Sequence, residues 1–335
     1  MFLNIYDVSE HAHVSIATVS RVINGNPNVS DKTRKRVLDV MKELGYTPNV
    51  FARSLGLNTM KTIGIMCADS SDPWLAEAIY YLEKELRGNG YDSLLCCTGY
   101  LPETKKKYLE LLRSKRVDAI ILTGSHYIEA KPKDNAYLLE AAKDLPIMLV
   151  NGQLDGDQIY STVCDDHAAV YDAALRLYRS GRSSVLYLYS GNSFSNLNKL
   201  SGYRDAVRDA GFMVRDELMV LCSKDLDAAM KRLDTISRSG VYFDAVLASE
   251  DILAVGAVKY ADKAGLTIPK DLSIIGYNNS ILSKCTTPEI TSVDNKVESI
   301  CTTTVNTLMK VLEEGNVPGK TTITPELIKR GTTNF

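Results

Sequence analysis

Two rhythms of apolar and polar positions divide the chain. Up to Met60 no stretch alternates as a strand does, and the apolar positions recur at helical spacing, predicting short helices over 6–12, 16–24 and 31–44. Tyr6, Val8, Ala12, Val14, Val19, Val22 and Ile23 are spaced to bury a small three-helix core. Tyr46-Thr-Pro-Asn49 then reads as a helix stop, followed by the short segment VFARSLGL.

From Lys61 onward apolar runs of strand length alternate with helical stretches. The runs are TIGIMCA (62–68), SLLCCT (93–98), DAIILT (118–123), PIMLVN (146–151), SVLYLY (184–189), DAVLAS (244–249) and LSIIGY (272–277). Helices are expected at 74–88, 102–114, 167–180, 199–210, 225–239 and 251–264. Strands apolar on both faces, separated by helices, imply parallel sheets covered on both sides. Their number suggests two such layers, so the expected fold class is α/β: a helical headpiece followed by two doubly wound lobes.

Composition narrows the function classes. Of the 335 residues, 45% are hydrophobic and 24% charged, as in an ordinary well-cored protein. The net charge of −2 excludes a uniformly basic coat for nucleic acid, so charge must be sought locally. Met1 to Met60 hold seven Lys/Arg against five Asp/Glu, with Lys32, Arg34, Lys35 and Arg36 bunched at the third helix. The seven cysteines show no CxxC spacing and lie mostly in apolar runs, which suits reduced thiols rather than a disulfide framework or zinc site. The first residues lack a basic segment, an apolar core and a cleavage site, and nowhere do eighteen apolar residues run together. A cytoplasmic protein with no membrane partner is expected. No GxGxxG follows the first strand of the body, where Gly64 stands alone, and no Walker lysine motif occurs. The four histidines assemble into no acid–base or metal constellation. An enzyme, a cofactor and a metal are therefore not expected.

The stretch VSEHAHVSIATVSRVIN carries the sharpest local signal. Ser15 fits as an N-cap, so a second helix begins at Ile16 and projects Ile16, Ala17, Ser20 and Arg21 outward. A helix entering the major groove needs a small or apolar start to reach thymine methyls and an Arg to reach guanine. The competing explanation from the pattern alone is an ordinary short helical hairpin.

The string VSIATVSRVINGNPNVSDKTRKRVL, followed by LGYTPNVFARSL, resembles the headpiece of LacI/GalR-family regulators, nearly without gaps over 5–65. Within it, ATVSRVINGNPNV is similar to the catabolite control proteins of Gram-positive bacteria. The resemblance implies that Ile16, Ala17 and Arg21 face bases while Ser15, Thr18, Ser20, Asn24 and Thr33 contact phosphates. The family carries Gly where this chain has His13, a type that tolerates left-handed geometry at about 1 kcal/mol. Residues 49–56 correspond to the family's hinge helix, with Asn49 and Ala52 on DNA and Leu55 as a wedge in the minor groove.

By the same resemblance, the remainder is a periplasmic-binding-protein-like effector domain whose chain crosses between lobes near Ser180–Arg182, Asp294–Asn295 and Thr322–Pro325. The implied domains are a headpiece (1–46), a hinge helix and linker (47–61), an N-terminal lobe (62–180 and 295–323) and a C-terminal lobe (181–294 and 324–335). Ligands bind open α/β lobes at the carboxyl ends of strands. The implied effector residues are Trp74, Asp166, Ser195, Lys199, Glu250, Asn278 and Asn295. Three of these depart from the family pattern: Lys199 replaces an Arg, Glu250 an Asn, and Asn278 an Asp. The function implied is a dimeric repressor of carbohydrate-related genes on a palindromic double-stranded operator, controlled by a small-molecule effector in the cleft between the lobes, a sugar or sugar derivative. A protein corepressor is the weaker alternative, because KVESICTTTVNTLMKVLEEG offers only Lys296 and Lys310. A solute-binding protein would share the body but not the headpiece.

Overall fold

The computed structural model describes residues 3–46 and 59–335. The expected hinge residues Asn49, Ala52 and Leu55 lie outside the described residues.

The headpiece is three helices: α1 (Ile5–His11), α2 (Ile16–Ile23) and α3 (Asp31–Leu44). Each starts where a side chain can accept from a free amide, at Asn4, Ser15 and Ser30. Val8, Ala12, Val19, Val22 and Val37 form the core. Tyr6 does not join them and is 65% exposed, because Val8 and Ala12 define the inward face of α1 and Tyr6 falls beside it. His13 takes up the left-handed geometry expected of it, with φ 49°. Two bonds hold the turn: Val14 N–H donates to the Ser9 carbonyl (3.2 Å), and the Ser9 hydroxyl donates to the Val14 carbonyl (2.7 Å).

The body contains two six-stranded sheets. The first lobe runs through β1 (Thr62–Cys67), α4 (Pro73–Gly88), β2 (Asp92–Cys97), α5 (Pro102–Ser114), β3 (Ala119–Thr123), α6 (Ala136–Ala141), β4 (Ile147–Val150) and β5 (Ile159–Cys164). The second runs through α7 (Asp166–Arg179), β6 (Val185–Tyr189), α8 (Phe194–Asp209), β7 (Met219–Leu221), α9 (Leu226–Arg238), β8 (Ala245–Ala248), α10 (Asp251–Ala264), β9 (Ser273–Tyr277) and β10 (Thr291–Asp294). The chain then returns to the first lobe with α11 (Val297–Leu312) and β11 (Lys320–Ile323), and ends its crossings with β12 (Glu326–Ile328) in the second. Strand orders are β11-β5-β4-β3-β1-β2 and β12-β10-β9-β8-β6-β7, parallel throughout except for β12.

One expected boundary is corrected. The helix α7 was expected in the first lobe, with the crossing near Ser180–Arg182. Its Ala169, Val170, Ala173, Ala174 and Leu177 instead pack with Tyr187, Tyr203 and Ala245 of the second lobe. The first crossing therefore lies at Cys164–Asp166. Gly202 makes the α7–α8 contact this close: a Cβ there would stand 2.2 Å from the His167 carbonyl oxygen.

Candidate functional site

On α2 the inward positions Val19 and Val22 leave Ile16, Ala17 and Arg21 exposed on the opposite side, with Ser15 beside them. Thr18, Ser20, Asn24 and Thr33 are half-buried at its margin. Ser15 accepts from the Thr18 amide at 3.2 Å, and its hydroxyl also lies 2.9 Å from that of Thr18. Arg34 does not remain free: its guanidinium donates to the Asn26 carbonyl (2.6 Å) and fixes the loop into α3. Lys32, Lys35 and Arg36 stay exposed.

In the body, the carboxyl ends of both sheets meet at a cleft of about 500 Å³, measured to its open mouth. Trp74, Ser195, Lys199, Glu250, Asn278 and Asn295 of the expected set line it together. Asp166 does not line it. Its Oδ1 accepts from the Tyr277 hydroxyl, and its Oδ2 is buried without a partner among the described residues. The helix cap there is Asp165, which accepts from the Ala168 amide (3.0 Å).

Lys199 also differs from a free ligand contact. Its ammonium donates to the Ser249 carbonyl (3.2 Å) and stands 3.6 Å from the centroid of the Tyr277 ring. Burial pushes its pKa down, since a charged ammonium is poorly solvated there. Tyr277, buried between Lys199 and Asp166, has its phenol held well above its ordinary value, chiefly by the same desolvation.

Asp251 and Asn278 shape the walls. Asp251 accepts from the amide and hydroxyl of Ser280 (2.7 and 2.8 Å) and from the Ser292 hydroxyl (2.6 Å), tying three strand ends together. Its carboxyl is nonetheless raised to about 6 by burial. Asn278, at φ 96°, accepts from Asn295 Nδ2 (3.1 Å). The Asn295 Oδ1 and the Trp74 indole N–H are buried without a partner among the described residues.

Several lining residues were not anticipated from the sequence: Asp72, Tyr100, Ser125, His126, Asn151, Ser193 and Lys224. The ammonium of Lys224 pairs with both Asp72 and Glu250, joining the lobes. It follows β7, a strand of three residues too short to register as an apolar run. A second link is direct: Ser125 Oγ donates to Ser193 Oγ at 2.9 Å. Tyr100 meets His126 edge-on, with ring centroids 4.9 Å apart, and burial lowers the His126 pKa. Among the described residues no group of His, Cys, Asp and Glu is arranged to hold a metal, and no helix is long and apolar enough to cross a membrane.

Comparison with known proteins follows the same division. The family of periplasmic binding proteins and sugar binding domains of the LacI family matches residues 60–331, and that of bacterial regulatory proteins, lacI family, matches residues 4–49. An HTH-type transcriptional regulator of Lachnoclostridium phytofermentans is 59% identical over 333 residues, covering 99% of this chain and 100% of that protein. Catabolite control protein A of Priestia megaterium is 31% identical, with 98% of each chain covered. The lac repressor dimer bound to operator and the anti-inducer ONPF shares the fold, with a TM-score of 0.89 at 22% identity and 99% of each chain covered. The CelR–cellobiose complex gives a TM-score of 0.73 at 22% identity, covering 99% of this chain and all (100%) of that one.

Proposed function

The chain belongs to the LacI family, as a non-enzymatic DNA-binding transcriptional regulator with an effector-binding domain, and from this premise we propose that it represses carbohydrate-related genes as a dimer. In this proposal two headpieces read the halves of a palindromic operator. Ile16, Ala17 and Arg21 meet base edges, and Ser15, Thr18, Ser20, Asn24 and Thr33 hold phosphates. The supporting observation is the exposed row Ile16, Ala17 and Arg21 on a helix whose other side is packed away. A cytoplasmic location fits this work.

The cleft between the lobes serves as the effector site, with Trp74, Ser195, Lys199, Glu250, Asn278 and Asn295 in its wall. Polar side chains from both lobes face it, so a ligand there would bind one lobe arrangement more tightly than another. Only such a difference in affinity can shift the balance of states.

Footprinting on genomic fragments, with anisotropy titrations of the protected sequence, tests this function. A protected palindrome is expected, and its absence would contradict the proposal. Arg21→Ala should cost about 1–3 kcal/mol and relax selectivity at one base pair in each half-site. Leu55→Ala should weaken specific binding far more than nonspecific binding; equal losses would rule out a wedge.

A further inference from the structure

The two acids that Lys224 joins are held by other groups of the protein as well, whereas its ammonium is held by those two acids alone among the described residues. Asp72 is anchored as the cap of α4, accepting from the amides of Trp74 and Leu75 at 2.9 and 3.0 Å. Glu250 accepts from the Ser190 hydroxyl. Their side chains are only 6% and 11% exposed, against 37% for Lys224. Among the described residues the Lys224 ammonium has no other ionic partner, and its stem rises from the loop between β7 and α9. The built feature of the wall is thus a pair of preset, half-desolvated carboxylates, one from each lobe. The ammonium between them sits on a long, unbranched side chain that can turn out to water.

The remaining chemistry of the cleft disfavours an anion. No arginine belongs to its lining. Its other cation, Lys199, is spent on the Tyr277 ring and the Ser249 carbonyl. An entering carboxylate or phosphate would face Asp72 and Glu250 with no planar donor to hold it. Two aromatic residues, Trp74 and Tyr100, belong to the lining, and aromatic rings attract cations. The partnerless Trp74 N–H and Asn295 Oδ1 offer one donor and one acceptor, the complement of a hydroxyl-bearing ligand.

We propose that the effector is a cationic polyol of the amino-sugar class, whose ammonium takes the place of the Lys224 ammonium between Asp72 and Glu250. This rests on the cleft being the effector site. Lys224 then acts as a resident competitor: it neutralises the two acids and links the lobes, and it is exchanged for a ligand that does the same.

The test is calorimetric titration of the full chain with glucosamine, glucose, N-acetylglucosamine and glucuronate, which differ in charge on one ring scaffold. Glucosamine should bind about tenfold tighter than the other three, the scale of one charge-assisted contact. Lys224→Met keeps the stem and removes the competitor, so it should tighten glucosamine binding several-fold. Glu250→Gln should erase the preference for the amine. Equal or tighter binding of a neutral or acidic sugar would overturn the proposal, as would binding of none of the four. Weaker glucosamine binding in Lys224→Met would also overturn it, making the lysine a ligand contact. Thermal melts establish that each variant is folded. Operator titrations on the same samples separate the two levels: retained operator binding with no amine preference removes only the ligand class.

Discussion

Ser125 and Ser193 share a hydrogen bond of 2.9 Å between hydroxyl oxygens that belong to different lobes. Neither is charged, so this link differs in kind from the ionic one at Lys224. Ser125 follows the carboxyl end of β3 and is buried, while Ser193 also caps α8. Ser125→Ala removes the inter-lobe bond and leaves the cap in place. A neutral hydrogen bond contributes about 1 kcal/mol, so the ratio of the linked to the unlinked lobe arrangement should fall roughly fivefold. Small-angle scattering should show a larger mean radius of gyration for the variant; an unchanged radius would mean that the bond does not bias the lobes.

Lys199 gives a prediction with a definite pH sign. Its folded pKa is lowered by burial, so the folded state disfavours the charged form. The resulting penalty is fully present below that lowered value and lifts as pH rises toward the ordinary lysine value of about 10.4. Lys199→Met, which keeps the apolar stem, should match or exceed the parent in urea midpoint at pH 7. Its advantage should shrink toward pH ~10. A loss of several kcal/mol at pH 7 would show that the Tyr277 ring and the Ser249 carbonyl outweigh desolvation.

Asp251 titrates in the opposite setting. Its carboxyl is raised to about 6, chiefly by burial and despite three donors. Between the ordinary carboxylate value near 4 and this value, the unfolded chain loses its proton first. Stability contributed at this position therefore falls as pH rises from about 4 to about 6, by on the order of 3 kcal/mol, and is level above. Denaturation midpoints of the parent and Asp251→Asn across that range should show the fall only in the parent. Parallel curves would contradict the assignment.

His13 occupies a left-handed position at φ 49°, where the absence of a Cβ is an advantage. His13→Gly should stabilise the headpiece turn by up to about 1 kcal/mol without reducing operator affinity. Amide exchange in residues 5–23 should slow in the variant. Faster exchange would mean that the imidazole contributes contacts worth more than the strain.

Much of this architecture was legible in the chain, for identifiable reasons. Three capped helices and seven long apolar runs announce themselves through periodicity. The strand Ile159–Cys164 was missed because Ser161 and Thr162 interrupt its apolar run, yet both are buried in the sheet. The lobe to which α7 belongs could not be read, since an apolar helix face does not say which sheet it covers. Six cleft residues were anticipated through the family resemblance. That Asp166 lies outside the lining of this cleft, with one oxygen on Tyr277, could not be read, because a carboxylate at a helix start looks the same in either setting. Lys224 left no signal of its own: a lysine after a short strand acquires meaning only when Asp72, distant in sequence, comes to stand opposite.

The three crossings have a consequence for synthesis. Residues 320–333 complete both halves of the body: β11 pairs with β5, β12 pairs with β10, and Thr332 bonds to the carbonyl of Ile274. Each sheet thus waits for residues made long after most of its strands, the kind of distant pairing that slows folding. The headpiece closes on local contacts alone and precedes them. During translation the part that reads DNA can therefore be folded while the part that governs it is still unassembled, and regulation begins only when the last strands of both lobes arrive together.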